Sequence, residues 1–232
     1  MGLPKSFPIR INREGLPFIA LFGGASLLLG FLAPPLGWAG LVLTAWCAWF
    51  FRDPERNPPA RRGAILSPAD GKIMTVGPAV APDELGLADA PLTRVSIFMN
   101  VFDVHVNRVP ADGTVSRVHY RPGRFFNASF DKASEHNERQ AVRIETAEGL
   151  DLAVVQIAGL IARRIKCTLV PGQEVKAGER FGIIRFGSRV DVYFPDHVRV
   201  LVKAGEKAVA GETVIADTLA NAPAPDDEGG MG

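Results

Sequence analysis

The chain contains 232 residues, of which 47% are hydrophobic and 22% are charged, and its formal net charge is +1. This size suits one domain of about 150 to 180 residues with an appendage, and the near-zero charge argues against a nucleic-acid partner. The two cysteines, Cys47 and Cys167, are widely separated and indicate neither a disulfide framework nor a metal site, which favours a reducing compartment.

The first predicted element is an apolar anchor. Residues 16–51 contain no charged side chain, and Pro34-Pro35 divides them into residues 17–33 and 36–51. Each half is close to the lower length limit of a spanning helix, about 17 residues, and the proline pair favours a turn. Basic residues flank both ends, which favours a cytoplasmic location for both. We therefore expect a membrane-associating helical hairpin or re-entrant anchor over residues 1–52. A secretory signal peptide and a buried hairpin of a soluble protein are the alternatives.

Short strands are predicted after a proline-rich, charged linker at residues 53–59. Runs rich in β-branched residues alternate with Gly, Pro and Asp-Gly turns. The predicted strands cover residues 72–76, 93–100, 113–120, 141–146, 152–157, 165–169, 181–186, 190–194 and 198–202. Residues 162–166 could instead form a short helix. Residues 220–232 are rich in Ala, Pro, Gly and acidic residues, and we expect a disordered tail there.

A weak internal repeat indicates the type of β fold. Residues 171–179 and 202–212 share a Val-x-x-Gly-Glu turn, which recurs in barrel-sandwich folds such as biotinyl and lipoyl carrier domains. A carrier displays a lysine at a hairpin tip, and the corresponding turn at residues 186–189 has none. We therefore predict a mainly β (α+β) protein. A barrel-sandwich-like β catalytic domain over residues 53–219 would lie behind the N-terminal hydrophobic helical hairpin.

Gly187 and Ser188 could support cleavage of the chain by itself. A serine hydroxyl is a weak nucleophile until a base takes its proton, and a preceding glycine lets the backbone bring Oγ to the peptide carbonyl. Attack of Ser188 on the Gly187 carbonyl would convert the amide into an ester. Elimination would leave dehydroalanine, which hydrolyses to a pyruvoyl group and ammonia, with the chain cut. Taken alone, a Gly-Ser pair is far more often an ordinary turn.

His105 and Asp70 are the candidate partners of this serine. His105 follows the apolar run of residues 95–98, and histidine titrates near neutral pH, so it could act as the base. Asp70 could orient that histidine and stabilise its charge. On local sequence alone, the ordinary interpretations are a polar histidine at the rim of the fold and an Asp-Gly turn.

Together these segments resemble the short form of the phosphatidylserine decarboxylase family. The segments are Ser67-Pro68-Ala69-Asp70-Gly71, residues 103–110 and Gly187-Ser188, and the likeness covers residues 51–217. It includes Phe125-Phe126-Asn127-Ala128, Asn137-Glu138-Arg139 and residues 159–165. The resemblance implies that Asp70, His105 and Ser188 form the self-processing triad. Cleavage before Ser188 would then yield a large chain, residues 1–187, and a small chain, residues 188–232, that stay associated.

The resemblance also implies the reaction. Loss of carbon dioxide from an α-amino acid leaves a carbanion that needs an electron sink, the role of pyridoxal phosphate in other enzymes. A pyruvoyl group at residue 188 would supply a ketone for the substrate amine and the sink, with no metal and no pyridoxal phosphate, and His105 could protonate the former α-carbon. The expected substrate is phosphatidylserine, or an archaeal ether-lipid version of it, and the product carries an ethanolamine headgroup. We expect the cytoplasmic face of the inner membrane as the location, and self-association into a homo-oligomer as a further possibility.

The headgroup phosphate needs a cation. The candidates are Lys132, Arg139, Arg163 and Arg164, each of which could equally be a solvated surface charge. Longer family members carry a second histidine three residues after the first, and this sequence has Arg108 there.

Two other functions remain open from the residues alone. A membrane-anchored serine hydrolase could use Ser188, His105 and Asp70, but the serine lacks the Gly-x-Ser-x-Gly elbow. A non-enzymatic, membrane-tethered β-barrel adaptor would not need the serine at all. The hydrolase would keep an intact chain, whereas the decarboxylase would cut itself.

Overall fold

A computed structural model describes residues 10–87, 91–123, 136–159, 164–185 and 187–219. The predicted tail at residues 220–232, the aromatic pair Phe125-Phe126, and the phosphate-binding candidates Lys132 and Arg163 lie outside these ranges. The predicted domain boundaries after residues 52 and 219 stay predictions.

Two apolar helices form the N-terminal hairpin, as predicted: α1 covers Leu16–Leu32 and α2 covers Pro34–Phe50. The proline pair lies in the first turn of α2, where the missing N–H costs no helical hydrogen bond. The helices approach closely through glycines, because a Cβ on Gly37 would lie 2.7 Å from Cα of Gly30. The segment Arg13–Leu32 is 20 residues long and apolar enough to cross a membrane, and 11% of it is buried. By length and composition, this segment suits a membrane association.

The remaining described elements are almost all strands. They are β1 Arg10–Ile11, β2 Arg52–Asp53, β3 Ala64–Leu66, β4 Gly71–Ala79, β5 Leu92–Met99, β6 Val106–Arg108, β7 Gly113–Arg121, β8 Arg139–Glu145, β9 Asp151–Ala158, β10 Ile165–Cys167, β11 Glu174–Val175, β12 Arg180–Ile184, β13 Ser188–Pro195, β14 Arg199–Val200, β15 Lys207–Ala208 and β16 Val214–Asp217. Short 3-10 turns cover Arg13–Gly15 and Asp83–Leu85. Each predicted strand has a counterpart here, and the alternative of a helix at residues 162–166 is wrong for its described part, which enters β10.

An antiparallel eight-stranded sheet forms the centre of the protein, in the order β11-β7-β8-β9-β13-β5-β4-β15. It curls into a half-barrel, and the sheets β10-β12-β6 and β14-β16-β3 lie beside it. β13 lies between β9 and β5 and is hydrogen-bonded to both. Alternate residues of β13, including Val190 and Val192, enter the main core, whereas Tyr193 enters a second cluster on the other face. The prediction of a mainly β protein behind a helical hairpin is confirmed.

One turn arrangement occurs twice in this sheet. A Pro-Ala-Asp-Gly sequence occurs twice, and its glycine opens β4 in one copy and β7 in the other. The backbone N–H of Ala210 donates to the Asp70 carboxylate at 2.7 Å, and that of Ala177 donates to the Asp112 carboxylate at 2.8 Å. Asp112 is therefore the structural counterpart of Asp70. The repeat of residues 171–179 and 202–212 supplies the two donors.

Candidate active site

The three predicted site segments meet at the Met99 end of β5. Ser188 pairs directly with Met99, and the loop that leaves this strand leads to His105. Asp70 reaches the same place, because a Cβ on the glycine that follows it would lie 2.2 Å from the carbonyl oxygen of Phe98. The fold thus brings together three segments that are distant in sequence.

Ser188 is the first residue of β13, and it is fully buried. It pairs with Met99 on one side and Ala158 on the other, both members of the main core, so its side chain points into the core face. Its Oγ has no hydrogen-bond partner among the described residues. Leaving a buried hydroxyl unpaired costs about 1–3 kcal/mol, so stability alone does not favour a serine here.

The residue before this serine has an unusual backbone. Gly187 has a φ of +65°, in the left-handed region that side chains other than glycine rarely adopt. A Cβ at this position would meet no described atom within 4 Å. The glycine is therefore required by backbone conformation and not by crowding from described atoms, and its carbonyl directly precedes Ser188.

His105 is fully buried beside the anchor, where its ring centroid lies 4.3 Å from that of Phe50. Its Nδ1 lies 3.0 Å from the backbone carbonyl oxygen of Asp103, which requires the hydrogen on Nδ1 and leaves the lone pair on Nε2. Nε2 is buried without a partner among the described residues. Burial, with a smaller contribution from Arg52, lowers the pKa of His105 from 6.5 to about 4. The imidazole is therefore neutral at pH 7 and can accept a proton.

Asp70 is held by two contacts of 2.7 Å, one with Arg56 and one with the backbone N–H of Ala210. Burial is the largest effect and raises the pKa of Asp70, while these two donors oppose it. No hydrogen bond joins Asp70 to His105 in the described part of the chain. The charge of Arg52 acts on both groups, however, which places them in one electrostatic neighbourhood. The orienting role of Asp70 stays a prediction.

A buried amide pair connects the strand after His105 to the central sheet. The Gln156 side chain donates to Oδ1 of Asn107 at 2.7 Å, and Asn107 donates to Sδ of Met99 at 3.7 Å. Both amides are fully buried. Because Met99 pairs with Ser188, these contacts fix the histidine strand relative to the serine strand.

Arg108, at the position of the second histidine in longer relatives, is engaged by the fold. Its guanidinium donates to the carbonyl oxygens of Gly178 at 2.8 Å and Pro54 at 2.9 Å, and lies 3.5 Å from the Asp53 carboxylate. Only 5% of the residue is exposed. Arg108 therefore ties the linker to the turn before β12.

Two of the four phosphate-binding candidates lie within the described residues. Arg139 forms a bidentate pair with Glu84 at 2.8 and 2.9 Å. Strand register places it on the face opposite Ser188, beside a cavity of about 570 Å³. Arg164 is exposed. The role of each in headgroup binding stays a prediction.

Sequence reasoning missed three residues that shape this site: Phe50 against His105, Arg56 against Asp70, and Glu14, which binds Arg185 close to Ser188 in sequence. One signal was available, because the repeated Pro-Ala-Asp-Gly marks Asp70 as part of a recurring turn. An apolar anchor and a linker arginine carry no local pattern that assigns them to a site.

The arrangement suits attack of the chain on its own backbone. A buried hydroxyl follows a glycine carbonyl, and a neutral imidazole lies on the neighbouring loop, with an Nε2 that no described residue contacts by a hydrogen bond. Within the described ranges, no three His, Cys, Asp or Glu side chains are grouped as metal ligands.

Comparisons with known proteins agree with the sequence resemblance. Residues 43–216 match the phosphatidylserine decarboxylase family. The phosphatidylserine decarboxylase proenzyme of Paramagnetospirillum magneticum is 58% identical over 217 residues, which are 94% of this chain and 90% of that protein. The proenzyme of Cereibacter sphaeroides is 57% identical over 207 residues, 89% of each chain. That of Rickettsia bellii is 56% identical over 207 residues, 89% of this chain and 90% of the relative.

Proposed function

The chain belongs to the phosphatidylserine decarboxylase family, and we propose that it converts phosphatidylserine to phosphatidylethanolamine through a pyruvoyl group made from its own Ser188. The observation that carries this proposal is the buried hydroxyl of Ser188, which has no partner among the described residues and directly follows Gly187 in the left-handed conformation. The names of the relatives describe proenzymes, which agrees with a precursor that matures by cutting itself.

Self-cleavage uses groups that the chain already holds. Neutral His105 takes the hydroxyl proton of Ser188, and Oγ attacks the Gly187 carbonyl carbon, so that a C–O bond replaces the C–N bond. A base then removes the α-hydrogen of residue 188, and the Gly187 carboxylate leaves from the β-carbon. Water adds to the resulting dehydroalanine and ammonia departs, which leaves the ketone. Asp70 favours the imidazolium form of His105 through its negative charge.

Once formed, the pyruvoyl group would supply a ketone for the substrate amine and a sink for the electron pair that departing carbon dioxide leaves on the α-carbon. His105 then holds the proton that replaces the lost carboxylate, because its Nε2 is otherwise unpartnered among the described residues. Arg164, Arg139, Lys132 and Arg163 are the candidate partners of the headgroup phosphate. The apolar hairpin supports a location of the catalytic domain at the lipid surface, and its basic flanks favour the cytoplasmic face of the inner membrane.

The two products of cleavage, residues 1–187 and residues 188–232, stay together. β13 begins at the cut and remains paired with β9 and β5 of the large chain. Farther along the small chain, β16 pairs with β3, and Asp217 forms an ion pair with Arg61. These contacts cross the cut without depending on the broken peptide bond.

Incubation of the purified full chain with phosphatidylserine vesicles tests the function. The wild-type protein should release carbon dioxide and form phosphatidylethanolamine, measured by lipid mass spectrometry, and Ser188→Ala should form none. Ser96→Ala is a matched control, because the Ser96 hydroxyl is also buried and without a described partner. Decarboxylation by an uncut chain would contradict the proposed mechanism, and hydrolysis of an ester lipid instead would support the serine hydrolase.

A further inference from the structure

One wall of the histidine site is built by the anchor hairpin. Phe50, at the end of α2, is fully buried, and its ring centroid lies 4.3 Å from that of His105. It belongs to an apolar cluster shared by the anchor and the β domain, whose buried members are Cys47, Phe50, Phe51, Val104, Val106 and Ile183. The cover over His105 is therefore supplied by the second apolar helix of the hairpin.

The anchor also holds the segment that carries the proposed cut. Glu14, directly before α1, accepts hydrogen bonds from Arg185 and Lys166, each at 2.5 Å. The guanidinium of Arg185 also lies 5.1 Å from the ring centroid of Phe18 in α1. Arg185 precedes Ser188 by three residues. Two independent contacts thus join the anchor to the proposed base, His105, and to the segment before the proposed nucleophile, Ser188.

We propose that self-cleavage requires the anchor hairpin, because its Phe50 covers His105 and its Glu14 holds the segment before Ser188 in position. Both are positioning residues, since neither touches the reacting atoms. This inference rests on the proposed self-cleavage. On this proposal, the chain cuts itself only when the anchor hairpin is packed against the β domain.

The physical basis is exclusion of water from the imidazole. Among the described residues, the groups that act on the His105 pKa are Arg52, whose charge disfavours the imidazolium, and the Asp103 carbonyl, which accepts from Nδ1. The Asp70 carboxylate also interacts with Arg52, and it is the acidic group that our proposal assigns to the imidazolium. We expect that removing the Phe50 ring leaves a cavity beside the imidazole, which offers a polar partner to water that enters it. Water there solvates the imidazolium, and the histidine is then protonated at a higher pH.

Histidine NMR on the uncut full chain tests the cover directly. In a Ser188→Ala chain in lipid nanodiscs, the His105 pKa should be about 4, and adding Phe50→Ala should raise it by about two units toward 6.5. Phe50→Leu keeps an apolar cover and should leave it low. An unchanged pKa in the Phe50→Ala chain would overturn the inference. This chain cannot cut itself in any case, so the result does not depend on the proposed function.

Self-cleavage after cell-free synthesis into nanodiscs supplies a second readout. Phe50→Ala should cut about tenfold more slowly at pH 5.5 than at pH 7.5, because only about one tenth of a histidine with a pKa near 6.5 is neutral there. The wild type and Phe50→Leu should lose far less rate between these pH values. An equal loss at both pH values would show a merely structural role and would count against the inference.

Glu14→Gln tests the second contact, with Glu55→Gln as the matched control. Glu55 also lies at the base of the anchor, where it pairs with Arg10 at 3.2 Å and Arg180 at 3.3 Å. Glu14→Gln should slow cleavage severalfold at both pH values, and Glu55→Gln should not. Equal rates for the two variants would overturn this part of the inference.

A wild-type chain that never cuts would contradict the proposed function, and the NMR titration would still decide whether Phe50 covers His105.

Discussion

Asp70 and Ala210 are joined by a 2.7 Å hydrogen bond, although they lie on opposite sides of the proposed cut. Asp112 and Ala177 repeat this contact at 2.8 Å within the large chain. This carboxylate–backbone hydrogen bond therefore stabilises two structurally equivalent turns, and it is not specific to the site. Each carboxylate also forms an ion pair, Asp70 with Arg56 and Asp112 with Lys176. What distinguishes Asp70 is the burial of its pair, in which each side chain is only 15% exposed, whereas both side chains of the other pair are exposed.

Asp70→Asn should separate the effect of the Asp70 charge on cleavage from the structural role of its hydrogen bond to Ala210. Asparagine keeps an oxygen for the N–H of Ala210 but loses the negative charge, so self-cleavage should slow on the order of 10²-fold while the chain stays folded. A time course of cleavage on denaturing gels measures this effect. Asp112→Asn makes the same change in the equivalent turn and should cleave like the wild type. Equal slowing in both variants would assign Asp70 a structural role only.

Ser188→Ala should give one uncut chain of 24.9 kDa that unfolds cooperatively. The substitution removes a hydroxyl with no described partner, so the packing of β13 loses little. Intact mass and thermal unfolding measure both properties. Ser96→Ala, equally buried in β5, should still cleave. Cleavage of the Ser188→Ala chain at the same place would contradict the assignment of the nucleophile.

The buried His105 should make the uncut protein less stable in acid. Its folded pKa of about 4 lies below the ordinary value of 6.5, so the unfolded state binds more protons between these values. The free energy of unfolding should therefore fall as the pH is lowered from 6.5 to 4, by on the order of 3 kcal/mol.

Denaturant unfolding of the Ser188→Ala chain at pH 7 and pH 4.5 measures this loss. Adding His105→Gln should remove most of it, because glutamine does not titrate. His119→Gln, at an exposed position of β7, is the control and should leave the loss in place. An identical pH dependence with and without His105 would show that the imidazole is not held neutral by burial.

Gly187→Ala should slow cleavage more than an equally destabilising substitution elsewhere, such as Gly149→Ala. Gly187 and Gly149 have φ values of +65° and +75°, and a Cβ on either would meet no described atom within 4 Å. Alanine should thus cost about 1–2 kcal/mol at each position through backbone strain. Only Gly187→Ala changes the carbonyl next to Ser188, so only this variant should accumulate uncut chain on gels. Normal cleavage in Gly187→Ala would show that the left-handed conformation is not needed.

The long strands and the helical hairpin could be predicted because each carries its own pattern. β5 and β9 are runs of β-branched residues between turns, and the anchor is an uncharged stretch divided by prolines. Strands such as β6, with three residues, depend on pairing with β12 and have no local signal. Their positions follow from tertiary contacts.

The site could be predicted only as separate segments. The resemblance marked Asp70, His105 and Ser188, but their contacts come from distant parts of the chain. Phe50 is 55 residues from His105 in sequence, and Ala210 is 140 residues from Asp70. No spacing rule connects residues at such separations. The ion pair of Arg56 with Asp70 likewise depends on the packing of the linker beside the start of β4, which the sequence does not indicate.

Intact mass of the purified wild-type protein, with sequencing of its fragments, tests the central claim most directly. Self-cleavage predicts two fragments divided between Gly187 and Ser188. The smaller should lack a free amino terminus and be lighter, by one molecule of ammonia, than a fragment that begins with serine. A single uncut chain that decarboxylates phosphatidylserine, or a small fragment with an ordinary N-terminal serine, would contradict the account.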